Sequence, residues 1–183
     1  VSYNSLESYG ASLQDALTRS YPPYEAIGLR EDNHPTGDGV ETYRQLATSL
    51  LQIENEFYGT IRPKRIIRRG ERPLHALRER GVEYIEVRLM DLDPFRPIGI
   101  GAETIRFLDV FLLYCLLTDS PPDTPAEIAA LARNQHRAAA RGREPGIRLE
   151  RRGEEVGLIE WGREVTRGCE PIAVALDGAH GGS

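Results

Sequence analysis

Apolar residues recur at helical spacing near the start of the chain. The repeat comprises Leu6, Tyr9, Leu13 and Leu17. This spacing puts the four side chains on one helical face and predicts a first helix, with Asn4 as its N-cap and Pro22-Pro23 ending the pattern. Glu31 to Gly39 is rich in turn-forming residues and predicts an exposed loop, whereas Glu41 to Leu51 is interpreted as one or two helical turns.

Helical patterns dominate the second half of the chain. Ala102 to Thr118 is apolar around most of its circumference, which predicts a helix buried in the core. Thr124 to Arg141 opens with a capping residue, a proline and a capping-box acid, and predicts a second helix. Leu158 to Leu176 predicts a last helical region that is broken near Gly168 and Pro171.

Between these halves the pattern favours β-structure. Val82 to Met90 alternates in polarity and predicts a strand. One face of this strand carries Tyr84, Glu86, Arg88 and Met90, and the other carries Ile85, Val87 and Leu89. The apolar face is expected to pack on helices. Gln52 to Ile67 is interpreted as extended structure interrupted at Pro63, and Pro73 to Arg80 as a short helix.

The polar face of the predicted strand carries the first candidate chemistry. Glu86 and Arg88 lie two residues apart, about 6.6 to 7 Å along a strand, so both could grip one ligand. Carboxylate oxygens suit hard cations, and the guanidinium fork suits a carboxylate or a phosphate. The alternative is a solvated glutamate and an exposed ion pair of Arg88 with Glu86 or Glu83, which contributes well under about 1 kcal/mol.

Composition and charge narrow the classes of function. The chain of 183 residues is 40% apolar and 28% charged, with a net charge of -5. This acidic balance argues against a general nucleic-acid binder. The longest apolar run, Phe107 to Leu117, is far shorter than the roughly 20 residues of a membrane span. Cys115 and Cys169 show no CxxC or Cys/His metal spacing, which favours a reducing cytoplasm.

Three segments carry a more specific signal. They are Leu51-Gln52-Ile53-Glu54-Asn55-Glu56-Phe57-Tyr58, then Ile61-Arg62-Pro63-Lys64-Arg65, then Tyr84-Ile85-Glu86-Val87-Arg88. In this order, and followed by Asp91-Leu92-Asp93-Pro94-Phe95, they resemble the proteobacterial glutamate-cysteine ligase family. The resemblance covers essentially the whole chain. It implies an α+β fold that is part of a glutamine-synthetase-like fold, with antiparallel strands packed with helices and a helical C-terminal half.

The resemblance also implies a reaction and its small molecules. Members of the family ligate the γ-carboxylate of L-glutamate to L-cysteine through a γ-glutamyl phosphate, which is the first step of glutathione biosynthesis. ATP would be the co-substrate, and Mg²⁺ or Mn²⁺ the metal. The implied partners are therefore glutamate, cysteine and ATP, without nucleic acid or membrane.

By the same resemblance, specific residues receive roles. Glu86 matches a metal ligand, and Arg88 matches a catalytic residue that contacts the substrate carboxyl or acyl phosphate. Tyr58 matches a tyrosine that lines the cysteine pocket. The predicted nucleotide-phosphate contacts are Arg62, Lys64 and Arg65, and Gln52 is assigned to the nucleotide site.

The chain is expected to be a piece of a larger enzyme. It opens at Val1 and its only methionine is Met90. We expect residues 1–183 to be a fragment of a single ligase catalytic domain whose N-terminal half is missing, and to be inactive alone and monomeric when intact. Two alternatives stay open: a non-catalytic binding module on the same scaffold, and a related carboxylate-amine ligase with another amine substrate.

Overall fold

The computed structural model describes residues 1–30, 42–88 and 90–181. These form two compact units, the first ending at Met90 and the second beginning at Asp91. The predicted loop from Glu31 to Gly39 lies outside the described residues.

The first unit contains three helices and a two-stranded antiparallel sheet among its described residues. Its elements are α1 (Leu6–Thr18), α2 (Pro22–Ile27), a 3-10 turn (Glu54–Glu56), β1 (Ile61–Lys64), α3 (Pro73–Arg80) and β2 (Tyr84–Val87). Helix α2 is a helix that the sequence analysis missed. Pro22 and Pro23 begin this helix as well as following the end of α1. A proline is tolerated in the first turn of a helix, because the N–H that it lacks would have no helical partner there.

The core of the first unit forms between α1 and α3. Tyr9 and Leu13 of α1 pack with Leu74 and Leu77 of α3, and all four are buried. The helical repeat of α1 therefore reports burial correctly. Its predicted cap is wrong by one residue, because the hydroxyl of Ser5, and not Asn4, accepts a hydrogen bond from the N–H of Ser8 at 3.1 Å.

Two further predictions for the first unit are wrong. Residues 42–51 form no helix, and their regular backbone pairing consists of the isolated bridges Tyr43 to Arg30 and Ser49 to Ser20. Strand β1 also runs through Pro63 without interruption, opposite Ile85 of β2. The N–H of Arg88 donates to the carbonyl of Thr60 at 2.8 Å, and hydrogen-bonded pairs alternate along an antiparallel ladder. Pro63 thus occupies a position at which no N–H is required.

The second unit contains α4 (Ala102–Leu117), α5 (Pro125–Arg141), β3 (Arg148–Arg151), β4 (Glu154–Gly157) and α6 (Leu158–Ala179). The hairpin of β3 and β4 was not predicted. Arg152 and Gly153 join its strands with φ angles of 52° and 82°. Positive φ angles at both positions are typical of two-residue hairpin turns, whose backbone twist matches the twist of the strands. The side chain of Asn134, on α5, protects the outer edge of β3: its amide donates to the carbonyl of Glu150 at 2.6 Å and accepts from the Glu150 N–H at 2.8 Å.

Two predictions for the helices of the second unit are wrong. Helix α6 continues through Gly168 and Pro171, since a proline removes one backbone hydrogen bond while the turns on either side persist. Gly168 is required for a different reason: a Cβ at this position would lie 2.9 Å from Cζ of Tyr114 on α4. Helix α4 has no buried residue, although its apolar composition predicted a core helix. Among the described residues, no helix is both long and apolar enough to span a membrane.

Candidate active site

The register of β1 and β2 brings the charged residues of the two strands together. Arg62 lies opposite Glu86, and Lys64 lies opposite Tyr84. Residues directly opposite one another in an antiparallel pair share a face of the sheet. The hydrogen bond from the N–H of Arg88 to Thr60 continues this register, so Arg88 follows Glu86 on the same face. The strand alternation therefore predicts correctly that Glu86 and Arg88 project together.

Glu86 is the centre of a three-residue charge cluster with Lys64 and Arg88. Oε1 of Glu86 accepts a hydrogen bond from Nε of Arg88 at 3.0 Å. Nη2 of Arg88 lies 2.8 Å from the same oxygen. Oε2 of Glu86 lies 3.0 Å from Nζ of Lys64. The three side chains are 26% to 33% exposed. The cluster is thus accessible to a ligand while its geometry is fixed by mutual contacts.

The charges of this cluster favour an anionic ligand. The hydrogen bond from Arg88 and then the contact with Lys64 lower the pKa of the Glu86 carboxyl, which stays ionised at neutral pH. One carboxylate and two cations leave one net positive charge. A planar guanidinium beside an ammonium is a combination that binds carboxylates and phosphates well.

Glu86 can also contribute to a metal site. Its Oε2 is buried and forms no hydrogen bond, although the Lys64 ammonium lies within ion-pair distance. Carboxylate oxygens are the donors that Mg²⁺ and Mn²⁺ prefer, and a metal ion at Oε2 would have to displace the Lys64 ammonium. Within the described ranges, however, there is no group of three His, Cys, Asp or Glu side chains that could hold a metal ion. Glu86 would therefore be one ligand of a site that other carboxylates complete.

The three predicted phosphate contacts have three different environments. Lys64 is paired with Glu86, whereas Nε of Arg65 lies 3.5 Å from Oε2 of Glu83. Arg62 is 7% exposed, and its guanidinium lies over the ring of Phe57 at 5.7 Å from the centroid. The Nε of Arg62 is buried and has no hydrogen-bond partner. Lys64 and Arg65, with side chains 26% and 28% exposed, are more accessible to a ligand than the buried Arg62.

These basic residues line one cavity of about 360 Å³. Its wall also includes Tyr9 from α1 and the consecutive residues Ile66 and Ile67 from the loop that follows β1. Burial raises the pKa of the Tyr9 hydroxyl, and the neighbouring positive charge of Arg62 opposes this effect. Tyr9 and the loop isoleucines were not assigned to the site from sequence, because no local pattern links them to β1.

Tyr58 and Gln52 differ in their relation to the charge cluster. The guanidinium of Arg88 lies over the ring of Tyr58 at 5.1 Å from its centroid, and Tyr58 is 71% exposed. Tyr58 therefore belongs to the same surface as Glu86. The amide of Gln52 instead accepts from the N–H of Leu46 at 2.8 Å and donates to Gln45 at 3.3 Å. Gln52 lines a second cavity of about 560 Å³, which shares Glu54 and Pro73 with the first but is not lined by Arg62, Lys64 or Arg65.

The fold and the site together define an α+β protein whose antiparallel strands present a carboxylate and two cations to a small anionic ligand. Comparison with known proteins is more specific. The sequence model of the glutamate-cysteine ligase family matches residues 1–138. The chain belongs to the glutamate-cysteine ligase family.

Individual relatives give the extent of the similarity. The glutamate-cysteine ligase of Janthinobacterium sp. is 51% identical over 175 residues, which cover 96% of this chain and 32% of the relative. The glutamate-cysteine ligase of Azotobacter vinelandii is 46% identical over 180 residues, which cover 98% of this chain and 32% of that relative. The chain therefore spans about a third of the length of these relatives.

A solved structure supports the same fold. The crystal structure of glutamate-cysteine ligase from Francisella tularensis in complex with AMP is 36% identical and superposes with a TM-score of 0.81. The superposition covers 94% of this chain and 34% of the Francisella tularensis chain. The predicted fold class is confirmed: the chain is part of a glutamine-synthetase-like α+β fold with small antiparallel sheets and a helical C-terminal half.

Proposed function

We propose that the chain forms part of an ATP-dependent glutamate-cysteine ligase, which joins the γ-carboxylate of glutamate to the amine of cysteine through a γ-glutamyl phosphate in the first step of glutathione biosynthesis. The contact between Glu86 and Arg88 on the open face of β2 supports this proposal most directly. Family membership and the AMP complex of the Francisella tularensis enzyme support an adenine nucleotide as co-substrate.

The roles of the charged residues follow from what the reaction requires. A free carboxylate is a poor acyl donor, and phosphorylation gives it a leaving group. Phosphoryl transfer then depends mainly on positioning and on neutralisation of developing negative charge. Arg88 is the proposed contact for the substrate carboxyl or acyl phosphate, because its guanidinium is held in place by Glu86 and the Tyr58 ring.

Glu86 is the proposed ligand for Mg²⁺ or Mn²⁺, which when bound would neutralise charge on the phosphates of ATP. The cavity lined by Arg62, Lys64 and Arg65 is the proposed site of the nucleotide phosphates. Lys64 and Arg65 are the more accessible of the three to a phosphate, because Arg62 is buried. Gln52 is proposed only as a neighbouring nucleotide-site residue, since its side-chain amide is already bonded to Gln45 and to the Leu46 backbone.

Tyr58 is the proposed contact for cysteine. Its ring lies beneath the Arg88 guanidinium, and its exposure leaves the phenol free to bind an amino acid. An acceptor amine bound here would lie near the carbonyl that Arg88 is proposed to hold. Proximity of this kind is what a ligation between two small molecules requires.

The exposed apolar surface supports the proposal that residues 1–183 are a fragment of one larger catalytic domain. Ile85 and Val87, on the face of β2 that was expected to pack on helices, are 44% and 37% exposed. In the second unit Phe95 is 92% exposed, and α4 buries none of its residues. Extended apolar surface of this kind is typical of an interface. We propose that the two thirds of the relatives that the chain does not span cover it.

This proposal has consequences for activity and partners. The chain alone is expected to have no ligase activity, because the remaining metal ligands and the glutamate pocket would lie outside it. Its proposed partners are small molecules, and the intact enzyme is expected to be a monomer in the cytoplasm. Both cysteines are unpaired thiols, which is compatible with a reducing compartment.

A chimera tests the function. In this chimera the present chain replaces the corresponding third of the Janthinobacterium ligase. We expect phosphate release from ATP that requires both glutamate and cysteine, and no release by the chain alone. Glutamate-dependent release with another amine, but not with cysteine, would favour the related carboxylate-amine ligase. A folded chimera that binds nucleotide without turnover would favour the non-catalytic binding module.

A further inference from the structure

The two ends of the loop between β1 and α3, residues 65–72, are joined by the side chain of Arg80. Arg80, in the last turn of α3, donates from two nitrogens to the two oxygens of Glu71 at 2.6 and 2.8 Å. The second of these nitrogens also donates to the carbonyl of Ile66 at 3.0 Å. A single guanidinium therefore holds the beginning of the loop and its end.

Backbone hydrogen bonds complete this arrangement. The N–H of Arg68 donates to Glu71 at 2.8 Å, and the N–H of Glu71 donates to the carbonyl of Arg68 at 3.0 Å. Gly70, with φ of 79°, makes the tight turn between them. The N–H of Ile66 donates to Glu83 at 3.1 Å. The N–H of Ile66 is thus bonded to Glu83, directly before β2, and its carbonyl to Arg80 of α3.

The burial of the ion pair indicates that it is structurally important. The side chains of Arg80 and Glu71 are 19% and 9% exposed, so they are more buried than the pairs formed by Glu86. The hydrogen bonds from Arg80 and from the Arg68 backbone lower the pKa of the Glu71 carboxyl to about 2. Removal of either partner would leave a poorly solvated charge without its counterion.

This loop forms a wall of the basic cavity. Ile66 and Ile67 line the cavity together with Arg62, Lys64 and Arg65, although the two isoleucines are 67% and 51% exposed. Two exposed isoleucines have little packing of their own to hold them at this edge. Their position depends on the hydrogen bonds at the ends of the loop.

We propose that Glu71 and Arg80 are positioning residues for the nucleotide site: their ion pair fixes the loop 65–72 so that the basic cavity keeps its shape before the ligand binds. This inference rests on the proposed function for the identity of the ligand, but the fixing of the loop does not. Preorganisation of this kind lowers the entropic cost of binding.

Trypsin provides a direct test of the loop, because Arg68 and Arg69 lie in it. In the chain without nucleotide, Glu71→Gln is expected to increase cleavage after these two residues about tenfold or more relative to wild type. Unfolding of the whole unit is measured separately, by urea unfolding followed by circular dichroism. The control is Glu164→Gln. This variant makes the same change in another bidentate ion pair, that of Glu164 with Arg151 in the second unit.

Arg80→Lys separates geometry from charge. Lysine keeps the positive charge but cannot form the bidentate contact with Glu71 and the hydrogen bond to the Ile66 carbonyl at the same time. Loop cleavage in Arg80→Lys should therefore resemble that in Glu71→Gln. Wild-type cleavage in both variants would overturn the inference. So would an increase in loop cleavage that is matched by the increase in the unfolded population measured in urea, because it would mean general unfolding.

In the active chimera, the same variants should raise KM for ATP about five- to tenfold with kcat within about twofold, since only the ground-state shape of the cavity changes. An unchanged KM for ATP despite faster loop cleavage would overturn the positioning role. If nucleotide binding is absent from the unmodified chimera, the proposed function fails while the trypsin result still decides whether the pair fixes the loop.

Discussion

The crossing of α4 and α6 offers a quantitative test of packing at a single glycine. A Cβ added at Gly168 would lie 2.9 Å from Cζ and 3.1 Å from the hydroxyl oxygen of Tyr114, and closer still to Cε2. Gly162, in the same helix, has nothing within 4 Å of the corresponding position. The two glycines therefore provide a matched pair.

The expected effects have opposite signs. Glycine to alanine in an open helical position stabilises by about 0.5 to 1 kcal/mol, because the unfolded chain loses freedom. Gly162→Ala should show this gain. At Gly168 the overlap with the aromatic ring should cost about 1 to 3 kcal/mol, as in other overpacked contacts. Gly168→Ala should therefore be less stable than Gly162→Ala by about that amount.

Urea unfolding followed by circular dichroism measures the difference. In thermal unfolding of a unit of this size, each kcal/mol of stability corresponds to a shift of about 4 to 8 °C in Tm. Tyr114→Ala removes the ring, and in that background Gly168→Ala should stabilise like Gly162→Ala. Equal stabilisation by the two glycine substitutions while Tyr114 is present would refute the close approach of α4 and α6.

Three further predictions concern hydrogen bonding, protonation and charge. Asn134→Ala should destabilise the second unit by about 2 to 4 kcal/mol, because two backbone groups of Glu150 lose their partners; an effect below about 0.5 kcal/mol in urea unfolding would contradict the edge-protecting role. The contribution of Glu71 should be constant well above the ordinary carboxyl pKa of 4.5, where the group is ionised in both states, and should be lost progressively as pH falls from there through its folded pKa of about 2; a pH-independent difference in unfolding free energy between wild type and Glu71→Gln would be inconsistent with this. Arg62→Met should change stability little while weakening ATP binding measured by calorimetry, because the Nε of Arg62 is buried without a hydrogen-bond partner and the flexible apolar side chain of methionine can occupy its place beside Phe57; unchanged affinity would exclude Arg62 from the nucleotide site.

Local patterns predicted much of the secondary structure but less of the packing. The helical repeats located α1 and α5, and alternation located β2, because these patterns reflect one buried or exposed face. An apolar helix such as α4 predicts burial without indicating its partner. The match covers only 32% of the Janthinobacterium relative, and the exposure of α4 is consistent with a partner outside residues 1–183.

The candidate site was predictable within one strand and less so across strands. Glu86 and Arg88 share a face because side chains alternate, which the sequence alone indicates. The contact of Lys64 with Glu86 depends on the register of β1, which could not be derived once Pro63 was expected to interrupt the strand. Arg65 pairs with Glu83 for the same reason: cross-strand partners follow from register and not from composition.

We propose that Glu86, held between Arg88 and Lys64, is a metal ligand of a ligase. The most direct measurement is the activity of the chimera with Glu86→Gln over a range of Mg²⁺ concentrations, with Glu164→Gln as the control. We expect glutamate- and cysteine-dependent phosphate release to fall by about 100-fold or more, with partial recovery at high Mg²⁺. Activity that is unchanged from the control at every Mg²⁺ concentration would contradict the assignment.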